Sequence, residues 1–438
     1  MRFIFILASL VAFSGCTSIK VPPQFTPEKI AALTPADFAS PVASEAGERG
    51  IFDEAMASIK DPEAFGDTEH GIGMVPSALG SVLLINRERE TGLRIALKSL
   101  ASVEFLTRAP DYQRAVLSAS YALYPAETAP LIAPMLAKLA TPRQFAIAAY
   151  ALMRAESRGA TVNAREMVRQ ALLARADAPT EPRLIALARA LDPAAATLPR
   201  PPLGDLLAAP LRAGHPVVYS LQRKDRRHMG RAVVRAADGK FVRNADGSIF
   251  NIAHLANALT DLPGTITNGN TPQGLFTIVG AGLANSVLIG PTPYLESKIP
   301  IEATPSEFEH KPTNGEWDEA RYESFLPASW KNYAPFKEAW LAGRAGRNEM
   351  LAHGTTVNTD YYKNEIVFPG TPSEGCLVAG ETWDKASGKM IASDQLLLLK
   401  AFTRGGQDRG YLVVVELDDK KQPVAFDEIA AELRAAER

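Results

Sequence analysis

Residues 353–376, HGTTVNTDYYKNEIVFPGTPSEGC, carry the two side chains of an activated sulfur nucleophile. The stretch begins with a His-Gly pair, continues through a polar and aromatic segment, and ends in Ser-Glu-Gly-Cys. A free thiol has a pKa of about 8.5 and is mostly protonated at neutral pH, so attack on an amide needs a base. An imidazole within hydrogen-bond reach removes the proton and returns it to the leaving amine. We therefore predict Cys376 as nucleophile and His353 as general base and acid.

Composition and charge exclude several classes of protein. The chain has 438 residues, which predicts two or three domains, and its 46% hydrophobic and 22% charged residues are typical of a globular protein. The formal net charge is −2, so no basic balance indicates a nucleic-acid partner. No His-Glu-x-x-His, paired-cysteine, Gly-x-Ser-x-Gly or P-loop pattern is present, and we predict no metal and no organic cofactor.

The amino terminus differs from the rest of the chain. Arg2 precedes an apolar run at 3–13 that is too short to span a bilayer, and Ser14-Gly15-Cys16 ends it. This pattern resembles a bacterial lipoprotein signal, which implies cleavage before Cys16 and acylation of its thiol. The alternative is an ordinary signal peptide with a chance cysteine. The resemblance places the protein in the cell envelope, anchored by lipid on the periplasmic side of a membrane, and Thr17 favours the outer membrane.

Cysteine usage supports the assignment of the nucleophile. The chain has two cysteines, and lipidation would consume Cys16. Cys376 would then remain without a disulfide partner in an oxidising compartment. A buried inert cysteine is the alternative, although its position after a glycine and a proline-containing loop is unlike a core sequence.

The chain divides by composition and periodicity into an α-helical and a β-rich part. We predict a multidomain α plus β protein with these segments: signal peptide 1–15, tether 16–45, α-helical domain 46–200, Pro-rich linker 201–213, mainly-β domain with inserted helices 214–418, and helical tail 419–438. Helices are expected to start near residues 111, 141 and 181, a spacing similar to that of helix-pair repeats. The helical domain is therefore a short repeat array or an irregular bundle, and a protein partner is its expected ligand.

Short β-branched runs between turn signals predict the strands of the second part. The runs are 217–219, 231–235, 275–279, 286–289, 366–368 and 411–416, and the turn dipeptides are Asp238-Gly239, Asp246-Gly247 and Asn268-Gly269. Helices are predicted at 334–347 and at 394–402, the latter capped by Ser393.

Three motifs in this part carry a resemblance. They are Asn270-Thr-Pro-Gln-Gly-Leu-Phe276, His353-Gly354-Thr355 and Ser373-Glu374-Gly375-Cys376-Leu377. In this order they resemble the Thr-Pro-x-Gly-x-Phe, His-Gly-Thr and Ser-x-Gly-Cys motifs of the L,D-transpeptidase (YkuD-type) catalytic domain. The resemblance covers 214–418. The chain departs from the family at Glu374 and Val378, where the family often has His and Arg or Asn, and in a longer loop before Ser373.

The resemblance implies roles for particular residues. The backbone carbonyl of Gly354 would orient His353, as in the family. From the chemistry of acyl transfer, the N–H groups of Gly375 and Cys376 would stabilise an oxyanion. The candidate substrate-binding residues are Ser373, Glu374, Thr355, Tyr362 and Arg347. For three of them an alternative stays open: Tyr362 as packing of the loop, Arg347 as a surface charge, and Glu374 as a solvated loop residue or a carboxylate behind the histidine.

The function implied is a periplasmic cysteine enzyme acting on peptidoglycan stem peptides. It would form a thioester on Cys376, resolved by an amine (transpeptidation) or by water (carboxypeptidase or endopeptidase). Papain-like and NlpC/P60 enzymes place Cys before His, and the sortase and caspase motifs are absent. The alternative from another class is a catalytically inactive, lipid-anchored cell-wall-binding or scaffold protein.

Overall fold

A computed structural model describes residues 25–61, 69–160 and 163–437. The predicted signal peptide at 1–15, the lipidation site Cys16 and the first part of the predicted tether lie outside these residues. Within the described ranges, no helix has both the length and the apolar character needed to cross a bilayer.

Helices dominate the first half of the chain and strands the second. The α-helices are α1 Pro27–Ala32, α2 Glu45–Lys60, α3 Glu69–Ile85, α4 Arg89–Ala101, α5 Pro110–Leu123, α6 Pro125–Ile132, α7 Pro142–Ser157, α8 Ala164–Leu173, α9 Pro182–Leu191, α10 Pro193–Ala196, α11 Leu203–Ala208, α12 Pro305–Glu309, α13 Glu319–Glu323, α14 Ala328–Lys331, α15 Glu338–Arg344, α16 Asp394–Thr403 and α17 Asp427–Ala436. The strands are β1 Val217–Gln222, β2 Gly230–Arg235, β3 Asn251–Leu255, β4 Gly274–Leu283, β5 Pro293–Lys298, β6 Leu351–His353, β7 Leu377–Ala379, β8 Glu381–Trp383, β9 Met390–Ser393 and β10 Gly410–Glu416. Short 3-10 helices lie at Pro35–Asp37, Pro41–Ala43, Phe105–Thr107, Ala133–Lys138, Ala334–Lys337 and Thr359–Tyr362.

The described chain forms two compact units. The helical unit contains Arg49–Leu198 together with Leu259–Gly269, and the barrel unit contains the described residues of Ser18–Glu48, Pro199–Ala258 and Asn270–Arg438. The prediction of a helical amino-terminal part followed by a β-rich part with inserted helices is confirmed.

Helix starts in the helical unit follow the predicted capping signals. α5, α7 and α9 begin at Pro110, Pro142 and Pro182, next to the predicted starts at 111, 141 and 181. Thr141 caps α7 by accepting a hydrogen bond from the backbone N–H of Gln144. From α3 to α9, every helix contacts the next helix along the chain. In addition, α3, α5, α7 and α9 contact one another in turn, and α4 contacts α6. Most of these helices thus pack against both adjacent and alternate helices, an arrangement found in repeat arrays and in bundles.

The helical unit includes a segment that sequence analysis assigned to the mainly-β domain. Leu262 and Ile266, from 259–269, are fully buried in the core of the helical unit. Asp261 forms an ion pair with Arg154 of α7, with 3.0 Å between Oδ2 and Nη1. The prediction that residues 214–418 form one continuous domain is therefore wrong, because apolar side chains of the excursion at 259–269 complete the core of the helical unit.

A closed eight-stranded barrel forms the centre of the other unit. Its strand order is β1-β10-β4-β5-β6-β7-β3-β2, and β8 pairs with β9 in a separate two-stranded sheet. β1–β10 and β6–β7 are parallel pairs, and the remaining barrel pairs are antiparallel. β1 and β10 are buried almost throughout, as expected for strands covered on both faces, and the buried residues of β1 include Ser220 and Gln222.

Two of the predicted strands are wrong. Residues 286–289 and 366–368 form turns, in which Gly290 N–H donates to Ser286 O and Phe368 N–H donates to Glu365 O. Neither run pairs with a strand; the carbonyls of Val287 and Leu288 accept hydrogen bonds from Thr356 instead. The predicted α16 is confirmed, with Ser393 as the residue that caps it.

The segment predicted as a tether is folded over its described part. Phe25 and Ile30 are buried in the barrel core, and Phe38 packs with Trp383 and Met390. The tether prediction is therefore wrong for 25–45, because these three apolar side chains of a Pro-rich sequence pack into the barrel unit. The predicted linker likewise contains a helix, α11, whose leucines are buried and which contacts α17.

The packing of this segment can be tested by truncating Ile30. We expect Ile30→Ala to lower the free energy of unfolding of the barrel unit by about 2–4 kcal/mol, because a fully buried aliphatic side chain is lost. The four tryptophans all lie in the barrel unit, so urea unfolding followed by tryptophan fluorescence reports on it. Ile391→Ala, at a largely exposed position, is the matched control. Equal unfolding midpoints for the two variants would contradict the packing.

Candidate active site

The pairing of β6 with β7 brings His353 and Cys376 together. These adjacent strands are parallel, with Ala352 opposite Leu377 and His353 opposite Val378. Cys376 comes directly before β7 and two residues before Val378, so its side chain points to the same face of the sheet as His353. The two residues that lie 23 positions apart in the sequence are therefore neighbours in the barrel.

The imidazole of His353 has a fixed orientation. Its Nδ1 lies 2.5 Å from the carbonyl oxygen of Gly354. A carbonyl can only accept, so Nδ1 carries the proton and Nε2 is the basic nitrogen. Burial lowers the pKa of His353, but the hydrogen bond to Cys376, the charge of its thiolate and the Gly354 carbonyl raise it, and the net shift is upward. The predicted role of Gly354 matches this geometry.

The thiol of Cys376 is buried among polar groups. Cys376 is 2% exposed, and its Sγ accepts a hydrogen bond from the backbone N–H of Leu351 at 3.3 Å. The Sγ also lies 3.7 Å from the carbonyl oxygen of Glu349, toward which a protonated thiol can donate. Together with His353, these contacts provide partners for both the thiol and the thiolate form.

Hydrogen bonds from two of the three motifs hold the turn before Cys376. Ser373 Oγ accepts from Gly375 N–H at 3.0 Å and donates to the Cys376 carbonyl at 2.8 Å. Thr271 Oγ1, from the first motif, donates to the Gly375 carbonyl at 3.0 Å. Gly375 has a φ of 116°, in the region that favours glycine. The prediction for Gly375 needs correction: its N–H is bonded to Ser373, so in this conformation it does not face an oxyanion.

The first motif also fixes the strand end beside this turn. Asn270 Oδ1 accepts hydrogen bonds from Ala258 N–H at 2.7 Å and from Asn257 Nδ2 at 3.2 Å. The Asn257 carbonyl in turn accepts from Ser373 N–H at 3.1 Å. The three motifs that were recognised separately in the sequence therefore meet at Cys376.

Two of the predicted substrate-binding residues are buried away from solvent. Arg347 donates from Nη1 to the Asn270 carbonyl at 2.8 Å, so it supports the first motif and is not a surface charge. Tyr362 packs beside Tyr361, with ring centroids 6.4 Å apart. Packing is thus the observed role of Tyr362, and both side chains are about as buried as His353 and Cys376.

The remaining predicted residues have different environments. Thr355 Oγ1 accepts from Val357 N–H at 3.0 Å, which shapes the turn after His353. Ser373 also serves the backbone, as described above, and Glu374 is partly exposed on the turn before the nucleophile. Of the predicted substrate-binding set, Glu374 is thus placed where a side chain can contact a bound molecule.

Sequence analysis missed a carboxyl group beneath the His-Gly-Thr turn. Glu381 accepts hydrogen bonds from Thr355 N–H at 3.0 Å, Thr292 Oγ1 at 2.5 Å and Ser393 Oγ at 2.8 Å. Burial raises the pKa of Glu381 to about 7, although these hydrogen bonds oppose the shift. A Cβ at position 354 would lie 2.0 Å from Glu381 Cδ, which explains the glycine there. Gly354 was the signal in the sequence that a group lies close to the backbone here, but a glycine does not reveal which side chain that is.

A second histidine lies near the site on the interior face of the barrel. His254 of β3 is fully buried, and its Nδ1 lies 3.0 Å from Ser220 Oγ. Burial, together with the charge of His353, lowers the pKa of His254 to about 3, so this ring stays neutral. Among the described residues, no group of three or more His, Cys, Asp or Glu side chains is arranged to hold a metal ion.

The chain matches none of the protein-family models, curated proteins or solved structures with which it was compared.

The close approach of Glu381 to Gly354 predicts a steric effect. Gly354→Ala would place a methyl group against the Glu381 carboxyl, and we expect a loss of about 1–3 kcal/mol in the free energy of unfolding. The control is Gly204→Ala in α11, where an added Cβ meets no atom within 4 Å and alanine favours the helix. Urea unfolding of both variants checks this. Equal stability of the two would show that Glu381 does not occupy this position.

Proposed function

We propose that the protein is a cysteine enzyme of the cell envelope that acts on peptidoglycan stem peptides through a thioester on Cys376. The reaction would be that of an L,D-transpeptidase, or of an L,D-carboxypeptidase or endopeptidase, in a YkuD-type domain. The observation that carries the proposal is the convergence of three motifs resembling that family. Thr271 holds the nucleophile turn, and His353 bonds to the thiol.

The arrangement accounts for each proton in the first half of the reaction. His353 Nε2 takes the proton from Cys376 Sγ, and the thiolate attacks the carbonyl carbon of the stem peptide. When the tetrahedral intermediate collapses, the C–N bond breaks and the leaving amine takes the proton back from Nε2. Leu351 N–H, already donating to Sγ, would stabilise the thiolate before attack.

The second half regenerates the thiol. An amine from a second stem peptide, or water, gives its proton to His353 Nε2 and attacks the thioester carbonyl. The C–S bond then breaks, and the Cys376 thiolate takes the proton back from Nε2. The amine would yield a cross-link and water a shortened stem. Incubation with purified muropeptides and mass analysis of the products distinguishes the two, with His353→Ala as the inactive reference.

The location of the protein is part of the proposal. Acylation of Cys16 would anchor the chain on the periplasmic side of the outer membrane, where peptidoglycan is within reach. As a repeat array, the helical unit would bind a protein partner, since such arrays present an extended surface.

A second candidate function is favoured by one observation. The thiol of Cys376 is almost inaccessible, at 2% exposure. An inactive, lipid-anchored wall-binding or scaffold protein would need no access to it. Accessibility of the thiol to an acylating agent therefore separates the two candidates.

Acylation by a carbapenem tests the proposed function, because nucleophiles of the family it resembles react with these compounds. We expect an intact-mass adduct on the full chain, none on Cys376→Ser, and an acylation rate at least about 100-fold lower for His353→Ala, since the general base is lost. Unfolding curves of the three proteins serve as the control for folding. A folded wild-type protein that forms no adduct would favour the scaffold.

A further inference from the structure

One peptide group links the imidazole of His353 to the Glu381 carboxyl. The peptide between Gly354 and Thr355 accepts from His353 Nδ1 through its carbonyl, at 2.5 Å, and donates to Glu381 Oε2 through its N–H, at 3.0 Å. These two hydrogen bonds lie at opposite ends of the same peptide dipole. A negative charge at the N–H end increases the electron density at the carbonyl end, because hydrogen bonds in a chain polarise one another.

The surroundings of Glu381 act on its ionisation in both directions. Its two oxygens accept three hydrogen bonds, from Thr292, Ser393 and the backbone of Thr355, and these favour the ionised form. Burial acts against ionisation and raises the pKa of Glu381 to about 7. A positive charge on His353 lowers the pKa of Glu381 again, so the carboxylate is most favoured when the imidazolium forms.

We infer that Glu381 is a positioning residue of the Cys376–His353 site, and that its carboxylate acts on the imidazole through the Gly354–Thr355 peptide group. This inference rests on the proposed function for its catalytic meaning. In Cys-His-Asn and Ser-His-Asp sites the third side chain bonds directly to Nδ1. Here the peptide carbonyl takes that place, and the charge lies one peptide group further away.

The inferred action of Glu381 on His353 through the peptide group, called the relay below, moves no additional proton. During attack the S–H bond of Cys376 breaks and an N–H bond forms at His353 Nε2. Nδ1–H stays bonded to the Gly354 carbonyl, and Thr355 N–H stays bonded to Glu381. Glu381 thus stabilises the imidazolium electrostatically, and reciprocally the imidazolium stabilises the carboxylate.

Three other titratable groups belong to the surroundings of this pair. The Cys376 thiol raises the pKa of His353. His254, on the other face of the sheet, remains neutral because burial holds its pKa at about 3. Asp394, the first residue of α16, is next to Ser393; burial raises its pKa, and Arg231 is its opposing charge.

The variant Glu381→Gln separates the charge from the contacts. A glutamine Oε1 can accept from Thr355 N–H, and its amide can donate to the Thr292 and Ser393 hydroxyls, which rotate to accept. The shape beside Gly354 is kept, and the negative charge is removed. Asp394→Asn is the matched control, because it removes a partly buried carboxylate from the same region without touching the Gly354–Thr355 peptide.

The direct readout is the pKa of His353, measured by NMR titration of the imidazole in the full chain and assigned with His353→Gln. We expect the pKa of His353 to fall in Glu381→Gln by about one unit, which is a tenfold change in its proton affinity. The acid limb of the acylation rate should shift in the same direction, and the rate at neutral pH should fall about tenfold. Asp394→Asn should stay within about twofold of the wild type.

The possible outcomes separate this inference from the proposed function. If wild-type Cys376 is not acylated but the pKa of His353 still depends on Glu381, the enzyme proposal fails and the relay stands. If Cys376 is acylated and Glu381→Gln changes neither the pKa of His353 nor the rate, the relay is overturned. If Glu381→Gln fails to fold, Thr292→Val takes its place, because it removes one hydrogen-bond donor to the carboxylate. We expect the pKa of His353 to fall in Thr292→Val as well. An unchanged pKa of His353 would overturn the relay.

Discussion

The parallel pairing of β6 with β7 is the interaction on which the candidate site depends. Both strands have three residues, and only two pairs of opposite residues define their register. Successive side chains of a strand point to opposite faces, so a slip by one residue would place Cys376 on the face away from His353. The register is fixed from both sides, since β5 pairs with β6 and β3 pairs with β7.

The local features of the site could be predicted from the sequence, and the long-range ones could not. His353 and Cys376 follow from the chemistry of a thiol and its base, and the Gly354 carbonyl follows from the family resemblance. Helix starts such as α7 also follow from local capping. Glu381 escaped prediction because its partners come from three separate parts of the chain, and only the folded barrel brings them together. The role of Gly375 was mispredicted for a local reason: the hydroxyl two residues earlier accepts its N–H.

The pKa values of the two buried histidines near the site shift in opposite directions. His254 lies on the interior face and has a serine hydroxyl as its partner, so desolvation dominates and the ring is neutral. His353 is also buried, but the thiol, a carbonyl and a carboxylate offset the cost of its charge. Similar solvent exclusion thus gives one structural and one titratable imidazole. The difference lies in the acceptors that each ring meets, which neither composition nor spacing reveals.

The excursion at 259–269 affects how the protein can be divided. The chain leaves the barrel unit after Ala258 and returns at Asn270, while Leu262 and Ile266 complete the core of the helical unit. A fragment that starts at residue 199 would therefore carry two uncovered aliphatic side chains on a loop whose ends adjoin Ala258 and Asn270. The helical fragment, ending at 198, would lack part of its own interior. To obtain the barrel unit as a soluble fragment, residues 259–269 would have to be replaced by a short polar turn. The helical fragment would need the same residues supplied as a peptide.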